Sequence, residues 1–195
     1  MPATDHTLAR RLLDVIEHDI VPLTRAGVER GDKIFGAAVL KKSDQSLVIA
    51  GTNREIDNPL FHGEVATLNA YFAMPEAGRP PPGDCLFLST HEPCSLCLSA
   101  ITWAGFDNFH YLFGYVDTRD AFNIPHDLRI LNEVFRIRNG DYERRNSYWT
   151  SRSIAELAEG GPDDIARQME RLDGIYAGLS AAYQESKGGS NIPLD

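Results

Sequence analysis

Apolar residues recur at helical spacing at Leu8, Leu12, Val15, Ile16 and Ile20, which predicts an amphipathic helix over residues 6–26. Pro22 weakens or ends that helix, because proline has no N–H for the helical ladder. Two apolar runs, Ile34 to Leu40 and Leu47 to Ala50, flank the polar turn from Lys41 to Ser46 and predict a hairpin. The polar stretch Thr52 to Phe61, with Asn58-Pro59 inside it, reads as a loop. A helix from about His62 to Met74 carries Val65, Leu68 and Phe72, and a proline- and glycine-rich loop follows it. Cys85 to Ser89 is a short buried strand, and Pro93 can open a helix that runs to about Ala104. Phe109 to Tyr115 is a further strand, and Asp127 to Phe135 a short helix. Residues 139–153, polar and rich in arginine and aromatics, take no assignment. Ile165, Met169, Leu172, Ile175, Leu179 and Ala182 then mark a terminal helix over 164–184. The tail Gly188–Asn191 is expected to be mobile.

Helix, hairpin, helix, strand, helix, strand is the order of an α/β fold with helices on both faces of its sheet. Residues 1–160 form one domain in this reading. Residues 161–195 add a helix and tail that belong to the same domain or to a dimer contact.

Composition narrows the class. The chain has 195 residues, 43% hydrophobic and 24% charged, the balance of one ordinary globular domain. Its formal net charge of −9 argues against a polynucleotide partner, whose phosphates call for a basic face. Arg10-Arg11, Lys41-Lys42 and Arg144-Arg145 are short basic spots flanked by acids or polar residues. The 3 cysteines, Cys85, Cys94 and Cys97, are too few for a disulfide framework and suit a reducing compartment. No apolar run reaches the ~18 residues of a membrane span. The first residues lack the pattern of a signal peptide, so a cytoplasmic protein is expected.

The chemistry sits in His62-Gly63-Glu64 and in Pro93-Cys94-Ser95-Leu96-Cys97. Cys94 and Cys97 share one face of a helix start, and His62 opens the other helix. One imidazole and two thiolates can hold one zinc ion and leave a fourth position open for water. Two helix N-termini aimed at the site favour thiolates. Glu64 lies close to the metal without having to bind it, and suits proton transfer from the water to a ring nitrogen and a leaving amine. H-x-E followed by P-C-x-x-C is the signature of the zinc deaminases. The competing structural role is a closed zinc site with a fourth protein ligand, for which Cys85 and His91 are the nearby candidates.

Residues 5–125 resemble the cytidine deaminase-like superfamily, most specifically over 51–71 and 89–115. The segment Leu60 to Asn69 is similar to fungal cytosine deaminase, which also has glycine between histidine and glutamate. Glu92 to Ala104 is more similar to bacterial guanine deaminase, and Asp117 and Ala121-Phe122 continue that similarity. The resemblance implies a three-layer αβα sandwich with a mixed sheet of about five strands. It also implies His62, Cys94 and Cys97 as zinc ligands, Glu64 as proton shuttle, Asn53 on the substrate ring, and a homodimer. Guanine deaminases carry a second acid shortly after the position of Ala121-Phe122, where this chain has Asn123-Ile124-Pro125-His126-Asp127. Asp127 and Asp120 are the candidates to replace it, and residues 126–195 are longer than either branch suggests.

His91 and Phe122 are further candidates for the substrate pocket, weighed against a strand-end histidine and a core phenylalanine. His126 reads as a surface residue and His110 as a structural one. Trp103 belongs to the core or to a subunit contact. The aromatics and arginines of 142–152 suit loop packing better than single-strand binding, given the net charge. The expected activity is hydrolytic deamination of a free amino-bearing heterocycle: cytosine-like, guanine, or a related pyrimidine or triazine. Deamination of a base in RNA and a non-catalytic zinc module are the alternatives. Retention of Glu64 disfavours the last.

Overall fold

A computed structural model describes residues 4–188 and 192–194. Thr4 caps α1 (Asp5–Val15), its hydroxyl accepting from the Thr7 N–H, and the buried stripe Ala9, Leu12, Leu13 and Val15 faces the core. The helix does not stop near Pro22. Ile16–Ile20 forms a π-helical turn, and the chain continues as α2 (Val21–Arg30) with Pro22 in its first turn. The wider turn opens the hydrogen-bond ladder ahead of the proline, which then sits where its missing N–H is not needed. Gly31, at φ 99°, ends α2 in the left-handed region that favours glycine.

The sheet has the order β2–β1–β3–β4–β5, from β1 (Gly36–Lys41), β2 (Leu47–Thr52), β3 (Cys85–His91), β4 (Asn108–Phe113) and β5 (Thr150–Ser153). β1 runs antiparallel to β2 and β3, while β3, β4 and β5 are mutually parallel, so the sheet is mixed as expected. Period-two alternation divides the strand side chains between two cores. Ala38, Leu40, Leu88 and Leu112 meet Leu12, Ile16, Ile20 and the buried face of α8 (Asp163–Ser186). Ala37, Val39, Phe87 and Phe109 meet Leu68 and Tyr71 of α3 (Gly63–Ala73) and Ile101 of α4 (Ser95–Trp103). The result is the three-layer α/β architecture.

Among the described residues the remaining α-helices are short: α5 (Tyr115–Asp120), α6 (His126–Glu133) and α7 (Ile154–Ala158). The stretch 139–153 joins the fold through β5, a polar edge strand whose Thr-Ser-Arg-Ser sequence shows no apolar alternation. α8 lays Ile165, Leu172, Tyr176 and Leu179 on its own domain against α1 and α2, so its apolar stripe needs no partner subunit. Of the tail expected to be mobile, residues 189–191 lie outside the described residues. No helix among the described residues is long and apolar enough to cross a membrane.

Gly63 has a steric reason to be glycine. A Cβ there would stand 2.7 Å from the Phe35 carbonyl oxygen and 2.9 Å from the Gly36 Cα, backbone atoms that cannot rotate away. Gly63→Ala is therefore expected to destabilise the protein by ~1–3 kcal/mol, the usual cost of overpacking. Urea denaturation checks this, and an unchanged midpoint would show that the helix start moves freely.

Candidate active site

His62 caps the N-terminus of α3, and Glu64 sits in its first turn, 4% exposed. Cys94 caps α4, and Cys97 falls in its first turn. Antiparallel pairing of β1 with β3 sets the start of β1, on which Gly63 of α3 is seated, beside the end of β3 that leads into α4, and so brings these two helix starts together. His62 Nδ1 lies 3.4 Å from Cys94 Sγ and 3.7 Å from Cys97 Sγ, and the sulfurs are 3.6 Å apart. A tetrahedral zinc with ordinary Zn–S and Zn–N lengths requires about 3.8 Å between sulfurs and about 3.6 Å between sulfur and nitrogen. The three residues thus fit one zinc ion closely. Neither Cys85 nor His91 joins them among the described residues, as a closed four-ligand site would need.

Around the ligands, charge is tightly coupled. Hydrogen bonding with Cys97 and the charge of His62 hold Cys94 well below the usual thiol range, against its burial. Cys97 is pushed well above that range, by burial first and then by Cys94. Burial opposes charge on His62, but Cys94, Glu55 and Glu64 outweigh it and raise its pKa to about 9. Burial and the negative Cys94 raise Glu64 above the usual carboxylate range. Glu64 Oε1 accepts from Ser89 Oγ at 2.9 Å, and its Oε2 lies 3.2 Å from Cys97 Sγ.

A cavity of about 350 Å³ opens onto His62 and Cys94. Phe35, Leu60, Leu96, Ile124 and Ile130 give it apolar walls, and Lys33, Glu55, His126 and Asp127 its polar groups. Asp127 is the acid brought to the site: burial and the negative Cys94 push it well above the usual carboxylate range. Asp120 is exposed and paired with Arg119 on the surface. His126, read from sequence as a surface residue, stands on the cavity wall, because α6 starts there.

Three expected substrate contacts lie elsewhere. Asn53 is fully buried: its amide nitrogen donates to Glu55 Oε2 at 2.7 Å, and its oxygen accepts from the Glu55 N–H at 3.0 Å. Glu55, not Asn53, reaches the cavity. His91 and Phe122 are buried and absent from the cavity wall. The His91 ring is boxed by Phe35, Phe113, Phe122 and Tyr176, at centroid distances of 4.8, 4.9, 5.2 and 5.4 Å. The end of β3 departs from its alternation: Ser89 turns to Glu64, while His91, two positions on, packs into the core on the opposite face, away from the cavity.

The unassigned stretch supplies a brace that sequence reasoning missed. Glu92, buried just ahead of Pro93-Cys94, accepts from Arg144 Nη2 at 2.7 Å, from the Tyr142 hydroxyl at 2.9 Å and from the Tyr115 N–H at 3.3 Å. The Tyr115 hydroxyl donates to the Pro93 carbonyl. A buried glutamate beside a cysteine motif and an Arg/Tyr-rich loop downstream were the only signal of it.

Residues 20–113 match the family described as the cytidine and deoxycytidylate deaminase zinc-binding region. The matched region contains His62, Cys94 and Cys97, and the match together with this cluster supports one Zn²⁺ as cofactor. Among individual relatives, it is 30% identical over 89 residues to guanine deaminase of Bacillus subtilis (strain 168). That match covers 45% of this chain and 54% of the relative, about half its length. The fold is similar to that of guanine deaminase from Nitrosomonas europaea, with 18% identity, a TM-score of 0.50, and coverage of 89% of this chain and 88% of that one. A solved structure in complex with 2,6-diaminopurine is similar at 18% identity and a TM-score of 0.52, covering 96% of this chain and 87% of that one.

His91 gives a pH prediction. Burial pushes its pKa down from 6.5 to about 3. Below pH 6.5 the unfolded chain binds a proton that the folded chain refuses, so stability is lost as pH falls through that window. His91→Leu removes this loss. Its stability relative to wild type should improve by about 2 kcal/mol between pH 7 and pH 5. Urea titrations at the two pH values check it, and a pH-independent difference would show that His91 titrates normally.

Proposed function

We propose that this chain is a zinc-dependent hydrolytic deaminase of a free amino-bearing nitrogen heterocycle, releasing ammonia. The observation that carries the reading is the buried Glu64 beside the His62, Cys94 and Cys97 cluster, whose His62 and Cys94 line a small, mostly apolar cavity. These three residues would hold the zinc, which when bound activates a water for attack on the amine-bearing carbon. Glu64 accepts a proton from that water, protonates the adjacent ring nitrogen, and passes a proton to the departing amine. Water and the amine thus become a ring carbonyl and ammonia. Burial readies Glu64 for both steps, because its raised pKa lets it keep a proton between them. Ser89 fixes the orientation of its carboxylate. Asp127 supplies the second acid at the cavity wall.

Cavity size and charge bear on the substrate. About 350 Å³ lies near the small end of ligand pockets and suits one ring system. The acidic groups Glu55 and Asp127 on its wall disfavour phosphate, as does the net charge of −9. The Bacillus subtilis relative supports guanine among the candidates, and the glycine between His62 and Glu64 keeps a cytosine-like ring among them. Three unpaired cysteines suit a reducing, cytoplasmic setting.

The test is ammonia release from a panel of free bases, nucleosides, triazine amines and short RNA. Glu64→Ala should lower turnover at least ~10²–10⁴-fold while zinc stays near one equivalent. Cys94→Ser and Cys97→Ser should lose the metal instead. Zinc loss in Glu64→Ala would place Glu64 among the ligands, and turnover of RNA alone would replace the free-base reading by an editing one.

We also propose a homodimer, on new ground. α8 is covered within its own domain, but Trp103 at the end of α4 is 90% exposed, neither core nor covered. Light scattering should give about twice the 21.7 kDa of one chain. A stable monomer contradicts this.

A further inference from the structure

The cavity wall carries a buried ion pair that proton shuttling leaves without a task. Lys33 is 5% exposed and Glu55 4%, and Lys33 Nζ lies 3.0 Å from Glu55 Oε1. Both residues line the cavity together with His62 and Asp127. Burying two charges is costly, and packing alone would be served as well by apolar residues. The pair is nevertheless held with care. Glu55 Oε2 accepts from the buried Asn53 amide, and Oε1 lies 3.7 Å from His62 Nε2, on the ring edge opposite the nitrogen that faces the cysteines. Lys33 and His62 lie on Oε1, and the single bond from Asn53 leaves a lone pair on Oε2. Lys33 spends one N–H on Glu55 and a second on the backbone carbonyl of Leu194, at 2.8 Å, itself on the cavity wall. The ammonium therefore already carries an amide carbonyl at this wall, and it has a third donor. A donor and an acceptor stand side by side, fixed relative to His62.

We propose that Lys33 and Glu55 read the lactam edge of the substrate: Lys33 donates to a ring carbonyl oxygen, and Glu55 accepts from the neighbouring ring N–H. The inference rests on deamination at this same site and names its substrate class, amino heterocycles that carry an oxo group beside a ring N–H. It also gives Asn53 a task, as a positioning residue that holds Glu55. Amines without the oxo group leave a buried ammonium short of its acceptor, and a site built around such bonds rejects them strongly.

The experiment uses the zinc-loaded full chain and two matched pairs, cytosine with 4-aminopyrimidine and guanine with 2-aminopurine. Wild type should favour the oxo member of the pair it accepts by at least about 100-fold in kcat/KM. In Lys33→Met that ratio should fall to within about threefold of one. Calorimetric binding of uracil and xanthine, which need no turnover, should show the same dependence on Lys33. Circular dichroism and zinc content check that the variant folds. If Lys33→Met does not fold, the double variant K33M/E55Q, which leaves no charge unpaired, carries the same expectation. A wild-type ratio near one overturns the proposal, as does an equal fall on both members in the variant. Turnover with a Lys33-independent ratio sinks the lactam reading and leaves deamination standing. Lys33-dependent binding of uracil or xanthine without turnover of any base does the reverse. Neither turnover nor binding sinks both.

Discussion

The close approach of Gly63 to the backbone of Phe35 and Gly36 is the contact on which the site depends. It seats the first turn of α3 directly on β1, with no side chain between. His62 and Glu64 flank that glycine, so both are fixed by backbone packing and not by their own rotamers alone. His62 faces the cavity, while Glu64 turns inward to Ser89 and Cys97. The same contact sets Phe35 into the cavity wall, and the Asn53 N–H donates to the Phe35 carbonyl at 2.7 Å, which anchors the loop bearing Glu55. One steric constraint thus positions the imidazole of the metal cluster, the proposed proton carrier and the polar wall of the pocket.

The cysteine side is placed differently, by buried polar groups. Glu92 would be an expensive burial alone, but Arg144, Tyr142 and the Tyr115 N–H satisfy its carboxylate. Because Glu92 and Pro93 lead straight into Cys94, that network holds the loop at the start of α4. The ligands are therefore set by two independent devices, a backbone contact for the histidine and a charge network for the thiolates. Placement to a few tenths of an ångström is what the near-tetrahedral spacing of the three donor atoms reflects.

Much of this was legible in the chain because it depends on local pattern. The hairpin, α3, α4 and α8 follow from periodicity and breakers, and the metal cluster from short spacings within two segments. What was not legible depends on sidedness and on partners distant in sequence. His91 adjoins the cysteine motif along the chain, yet at the end of β3 it breaks the strand's alternation and packs into a ring of four aromatics contributed by β4, α8 and two loops. Asn53 has the residue type of a ring binder, but Glu55, two positions on, takes both ends of its amide. β5 has no apolar rhythm because it is a polar edge strand, recognised only by the partner it pairs with. Pro22 looked like a terminus because a π-turn ahead of a proline has no simple apolar signature.

Charge explains why so much polar structure surrounds one small cavity. Cys94, Cys97, Glu64, Glu55 and Asp127 bring five acidic groups into or beside it, and burial pushes Glu64 and Asp127 toward their neutral forms. Lys33, the N-termini of α3 and α4, and a zinc dication are the balancing positive elements. The proposed proton carriers need this balance to stay incomplete. A carboxylate fully neutralised by a cation would fall in pKa and lose its hold on a proton, as any strongly paired acid does. Among the described residues Glu64 hydrogen-bonds to a serine and a thiol, and burial outweighs the pull of the neighbouring His62 on its proton. Glu55, whose proposed task is to accept a hydrogen bond and not to move a proton, is the acid that pairs with the lysine. The division between the two glutamates follows from which of them receives the cation.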